Sequence, residues 1–162
     1  STNGVEFPLP PIRDHLREFA ETLRWRLHGL SVDADRAERG RFGEWSARRF
    51  LLRKGFYVIA RNWRNPNDRR DEIDLICKDR EVLAFVEVRA RNASARTTGY
   101  ESISPRKKKS LLKSFKAYLN RRKERPEHFR FDVVEIDLPA DGMGKLEIFH
   151  HENVALFPPR FH

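Results

Sequence analysis

Two carboxylates stand in the stretch EIDLICKDREVLAFVEVRAR, residues 72–91, where packing alone gives no reason for them. The stretch has the pattern of a β-hairpin, two apolar-rich runs around a polar turn. With the turn centred between Arg80 and Glu81, Asp74 and Glu87 are equidistant from the centre and face each other across the ladder. Opposed like charges destabilise a strand pair. Side chains two apart on a strand share a face, so Arg89 joins Glu87 and the three form one cluster. Such a pair must share a proton, be neutralised by fixed cations, for which Arg89 and Arg91 are candidates, or hold a metal. A Mg²⁺ or Mn²⁺ ion fits the pattern well, because Mg²⁺ takes one or two carboxylates and leaves its other positions to water and phosphate oxygens.

The elements that must position these groups follow from periodicity. Residues 12–30 carry Ile12, Leu16, Phe19, Leu23, Leu27 and Leu30 on one stripe, which predicts an amphipathic helix whose apolar face docks on the domain or against another copy. A second helix is expected after Asp35, which has capping-box spacing to Glu38, with Gly55 as its stop. Gly43, Ala47, Phe50 and Leu51 form its inward stripe. Glu44 falls on the same side, where acidic residues are rare; a helix-edge ion pair is the ordinary explanation, and a third ligand or a holder of metal water is the functional one. FYVIARNW reads as a strand, followed by a turn through Asn65, Pro66 and Asn67 and then the hairpin. NASARTTGYES reads as a mobile loop. A third helix is expected over 106–123, and FRFDVVEID and KLEIFHHE as two closing strands.

The chain has 162 residues and a formal net charge of +9. Ten basic residues and one acidic residue lie between Ser104 and Arg125, so this segment carries the entire excess and the rest is balanced. On the third helix Arg106, Lys109, Lys113, Lys116 and Lys123 fall within about a 100° arc, opposite Leu111, Leu112, Phe115, Tyr118 and Leu119. A localised positive field beside a candidate Mg²⁺ site points to DNA, with phosphate contacts that give salt-sensitive affinity without reading sequence. Lys107, at the edge of the apolar face, can turn toward the sheet, although solvent is the usual place for it.

Several blocks in order, RGRFGEWSARRFLLRKGFYVIARNWR, DEIDLI, LAFVEVRAR, ISPRKKKSLLKSFKAYL and RFDVVEI, resemble the YraN-like family of predicted nucleases. That family is similar to archaeal Holliday-junction resolvases and belongs to the restriction-endonuclease-like superfamily. The resemblance spans roughly residues 37–155. It implies an α/β fold of restriction-endonuclease-like type, a central mixed sheet flanked by helices, with an extra N-terminal helix. The expected organisation is an extension over 1–35, a nuclease domain over 36–156 and a loose tail over 157–162. By resemblance Glu44 is the helix-borne acid, Asp74 the first metal-ligand Asp and Glu87 the acid of a Glu-x-Lys element. Implied with them are Mg²⁺-dependent DNA cleavage, branched DNA as substrate and a homodimer as the working form. The Lys of that element is Arg89 here, and a guanidinium stays protonated, so it offers charge and hydrogen bonds but no base. Arg89 can stabilise the transition state, with base work left to metal-activated water or to Lys107. The nucleic-acid contacts expected are Arg91, Arg106, Lys107, Lys109, Lys113 and Lys116.

Two other classes stay open on sequence: a non-catalytic DNA-binding module of the same fold, and a protein-interaction scaffold that uses the 12–30 helix. No run approaches the eighteen or so apolar residues of a membrane span, and STNGVEFPLPP lacks a signal layout, so a cytoplasmic protein without membrane contact is expected. The single cysteine, Cys77, is expected to pack as a small hydrophobe. His150 and His151 are adjacent on a strand and point to opposite faces, which argues against a shared zinc ion. Asp132 lies on a strand with no spacing that ties it to the cluster. Trp63 is expected to close a core.

Overall fold

The computed structural model describes residues 12–93, 103–139 and 144–156. Its elements are α1 (Ile12–His28), α2 (Arg36–Arg53), β1 (Tyr57–Asn65), β2 (Asp68–Asp79), β3 (Val82–Asn92), α3 (Pro105–Arg121), β4 (His128–Leu138) and β5 (Glu147–His151). The five strands form one sheet in the order β1-β2-β3-β4-β5. Only β3 and β4 are parallel; the other three pairs are antiparallel. A parallel neighbour cannot be reached by a tight turn, and α3 lies within the crossover from β3 to β4. The architecture is therefore α/β with a mixed sheet and three helices, consistent with a restriction-endonuclease-like fold with an added N-terminal helix. No described helix is long and apolar enough to cross a membrane.

Each face of the sheet has its own core. Against α2 lie Leu75, Cys77, Ala84, Val86, Val134 and Ile136 with Ala47, Leu51 and Phe56. Against α3 lie Ile73, Ile76, Phe85, Phe131 and Val133 with Leu111, Phe115 and Tyr118. Phe85 stacks on Phe115 with centroids 4.3 Å apart, and Trp63 meets Tyr118 edge-on at 5.3 Å, so Trp63 does close a core. Cys77 is fully buried, and burial pushes its thiol up to about 12, which leaves it an inert hydrophobe.

Local sequence chemistry sets the helix ends. The Asp35 side chain accepts the Glu38 N–H at 2.7 Å, while Glu38 turns its own carboxylate to Arg24 and Trp25, so only half of the capping box forms. At the other end of α2, Gly55 takes φ +91°, and the Gly55 and Phe56 N–H groups bond to the Leu52 and Leu51 carbonyls in a Schellman closure. Ser104 caps α3 through the Lys107 N–H, Pro105 opens the helix, and the helix ends at Arg121, which leaves Lys123 outside it.

The helix α1 forms where expected, but of the two roles expected for its apolar stripe the first, docking on the domain, needs correction. Ile12, Leu16, Phe19, Leu23 and Leu27 face solvent, and α1 meets the body through its opposite side. There Trp25 packs on Phe42 and Trp45, and Glu18, Glu21 and Arg24 form ion pairs with Arg61, Arg41 and Glu38. Charge pairing with arginines from distant elements decided the face, and hydropathy periodicity carries no information about it. The expected mobile loop, from residue 94 on, and the loose tail lie outside the described residues.

Candidate active site

The hairpin ladder runs from Asp79↔Val82 to Leu75↔Val86 around Arg80 and Glu81, the register the symmetric turn requires. Asp74 and Glu87 are the next pair along, and regular pairing stops before them. The Asp74 carboxylate instead accepts the N–H of Val88 at 2.7 Å. On the outer side of β2, Asn62 lies opposite Asp74, between the pairs Arg61↔Leu75 and Trp63↔Ile73, and takes φ +47°. The sheet is thus irregular on both sides of Asp74, and its carboxylate lies in the gap.

Glu87 is 4% exposed on the α3 side of β3. Arg89 Nη2 reaches its Oε1 at 3.3 Å, and Lys107 Nζ lies 3.3 Å from its Oε2. Lys107, in the first turn of α3, therefore does turn inward, against the ordinary expectation of a solvated side chain. Glu44 arrives from the α2 side. Gly43, one residue before it, is why α2 can lie so close: a Cβ there would stand 2.7 Å from the Ala90 Cβ. Glu44, Asp74, Glu87 and Arg89 line one cleft of about 400 Å³, and Glu44 and Asp74 also line a second of about 590 Å³ beneath α1.

Electrostatics mark the cluster as unbalanced. Burial, then the neighbouring Glu87 charge, push Asp74 up to about 7, offset in part by the Val88 N–H. Burial, then Asp74 and Glu72, push Glu44 to about 7, against a hydrogen bond from Asn62. Glu87 is raised by burial and held back by Lys107 and Arg89, and it shares a hydrogen bond with Asp74. Burial and the mutual repulsion of the carboxyls thus favour the protonated forms of Asp74 and Glu44 up to about neutrality. Glu87 Oε2 is buried, with Lys107 Nζ at 3.3 Å but outside good hydrogen-bond geometry. Two neighbouring carboxyls lining a cleft are, once ionised, a donor set that a hard divalent cation could complete. Among the described residues no three His, Cys, Asp or Glu side chains already surround a common point. Asp74 and Glu87 are the two side chains that could act as direct ligands, with Glu44 far enough out to act only through water.

The remaining candidates separate cleanly. Arg106, Lys109, Lys113 and Lys116 are exposed along α3. Arg91 lines the smaller cleft, but its guanidinium is held by Asp137 at 2.7 Å and Glu135 at 3.5 Å. Asp132 is fully buried away from the cluster, bonded to Arg130, His150 and the Asn153 N–H. His150 faces that aspartate while His151 pairs with Glu135, so the histidines do diverge. Sequence reasoning missed Asn62; an Asn inside an otherwise strand-like run, tolerant of positive φ, was its only signal.

A mixed five-stranded sheet with acids converging where its ladder breaks, beneath a basic helix, defines an α/β protein of restriction-endonuclease-like architecture. The sequence profile of the uncharacterised protein family UPF0102 matches residues 43–136, more than half of the chain. The chain belongs to this family, the YraN family that its motifs resemble. It is 35% identical over 116 residues to a UPF0102 protein of Chlorobium phaeobacteroides, covering 72% of this chain and 90% of that one. It is 38% identical over 122 residues to one of Chlorobium limicola, covering 75% and 92%, and 41% identical over 103 residues to one of Symbiobacterium thermophilum, covering 64% and 85%.

Proposed function

We propose that the protein is a metal-dependent endonuclease that hydrolyses DNA phosphodiester bonds, with branched or otherwise structured DNA as its substrate. The observation that carries the reading is the Asp74–Glu87 pair, two carboxyls brought side by side in a cleft where the β2–β3 ladder ends. Asp74 and Glu87 would hold Mg²⁺ or Mn²⁺. When bound, the ion supplies charge to polarise the phosphoryl oxygen and lowers the pKa of the attacking water.

The chain's own groups have separable tasks. Glu44, with a pKa of about 7, suits a general base that orients the water and takes its proton. Arg89 and Lys107, both on Glu87, donate hydrogen bonds to phosphate oxygens as negative charge grows on them. Lys107 thereby brings to the cluster an amine of the kind that the resemblance expects at position 89. Exposed Arg106, Lys109, Lys113 and Lys116 hold the phosphate backbone beside the cleft. Resolvase kinship makes a homodimer the working form in this reading.

The test is cleavage of junction, flap and duplex DNA with Mg²⁺ and with Mn²⁺. Cutting that Asp74→Ala abolishes supports the reading. Tight, salt-sensitive binding with no cutting by the wild type would instead establish the alternative, a non-catalytic DNA-binding module, which the presence of arginine at position 89 favours.

A further inference from the structure

The larger cleft has a second basic wall that the proposed chemistry does not use. Arg41 and Arg48 project from α2 and Arg61 from β1, and all three line this cleft together with Glu44 and Asp74. On the opposite wall stand Glu18 and Glu21 of α1. Glu21 grips Arg41 through two bonds, 2.8 and 3.1 Å, and Glu18 takes Arg61 and lies 3.9 Å from Arg48. Each guanidinium of this wall therefore has a carboxylate where a phosphate would fit. Arginine forks match carboxylate and phosphate with the same geometry.

The attachment of α1 suits exchange rather than permanence. Trp25 is its only buried side chain, and its apolar stripe faces away from the body. What remains is a set of ion pairs with partly exposed members, two of them two-bond arginine forks, whose strength falls with salt. The helix also lies outside residues 43–136, the part matched by the family profile, whereas Arg48 and Arg61 lie inside it.

We propose that Arg41, Arg48 and Arg61 form a second phosphate-binding row contiguous with the active cleft, and that α1 is an intramolecular strap whose Glu18 and Glu21 occupy the row until nucleic-acid phosphates displace them. This rests on the DNA reading above. It assigns α1 a role in substrate access: the strap keeps weakly binding polyanions out of the cleft and yields to a DNA that also engages α3. The row would hold the backbone on the side of the acids opposite α3.

The experiment uses the full chain and a labelled DNA junction in metal-free buffer, so that binding is measured without cleavage. Glu18→Gln/Glu21→Gln is compared with a charge-matched control on the exposed surface, Glu81→Gln/Glu147→Gln. Release of the row predicts that the strap variant binds about five-fold tighter than the control, with a salt slope steeper by about two. Adding Arg48→Ala/Arg61→Ala to the strap variant removes the gain. In the wild type, amide exchange over residues 12–28 speeds up on DNA binding. Equal affinities of strap variant and control, or protection of 12–28 by DNA, overturn the strap. Lys109→Ala/Lys113→Ala separates the two levels. If binding responds to these lysines but not to Glu18 and Glu21, only the strap fails; if no form binds DNA, the DNA reading fails with it.

Discussion

The surroundings of Asp74 favour its protonated form. Its pKa rises from 3.8 to about 7, so the folded chain binds that proton more tightly than the unfolded one does. The associated stability is present below about pH 4 and is lost as pH rises through about 7. Asp74→Asn is therefore expected to be more stable than the wild type in metal-free buffer, by roughly 2–4 kcal/mol at pH 8, since a tenfold change in proton affinity is worth about 1.4 kcal/mol. The advantage should shrink toward zero near pH 4, as thermal denaturation across pH can check. The same proton must leave for a cation to bind, so Mg²⁺ affinity should rise with pH through about 7 and proton release should accompany binding, readable by calorimetry in buffers of different ionisation enthalpy. At Lys107, removal of the amine leaves Glu87 with Arg89 as its cationic partner. Lys107→Ala is expected to lower cleavage by about 10²-fold or more. Arg89→Lys should raise it, because it restores a strand-borne amine without disturbing the one from α3.

At the scale of elements, the site exists because three of them end or bend at one place. The β2–β3 ladder stops at Leu75↔Val86, the first turn of α3 brings Lys107 to Glu87, and α2 passes close enough to β3 to deliver Glu44. The last condition depends on Gly43. Gly43→Ala forces its new methyl onto Ala90, an overpacking expected to cost about 1–3 kcal/mol in urea denaturation. The strain should also move Glu44 and lower catalytic turnover while DNA binding by α3 persists. A defect confined to stability, with full turnover in the folded fraction, would show that the approach of α2 serves packing alone.

For the whole molecule the governing quantity is where positive charge is free. Many arginines outside α3 are engaged: Arg41 with Glu21, Arg61 with Glu18, Arg91 with Asp137, Arg130 with Asp132 and Asp79. The exposed cations of α3 lie on one face and leave its apolar side to the core. Single substitutions Lys109→Ala, Lys113→Ala and Lys116→Ala should each weaken binding to unrelated DNA sequences by similar factors and reduce the salt slope by about one, measured by fluorescence anisotropy over a salt series. A sequence-selective loss would mean these lysines read bases rather than phosphates.

Much of this was legible in the order of residues, because it depends on near neighbours. Hairpin symmetry brought Asp74 near Glu87, although the ladder ends one pair short of them, helical periodicity put Glu44 inward, and clustering put the charge excess on α3 and the residues just after it. Contacts between distant segments were not legible. Nothing in the sequence requires Lys107 to meet Glu87 across the crossover, Asn62 to support Glu44, or α1 to present carboxylates to Arg41 and Arg61 while its leucines face solvent. Those pairings depend on how helices seat on a sheet, where a few ångströms of approach, such as the one Gly43 permits, decide which side chains meet. The sequence determined the elements and the acids, and only the tertiary structure decided how the charges are paired.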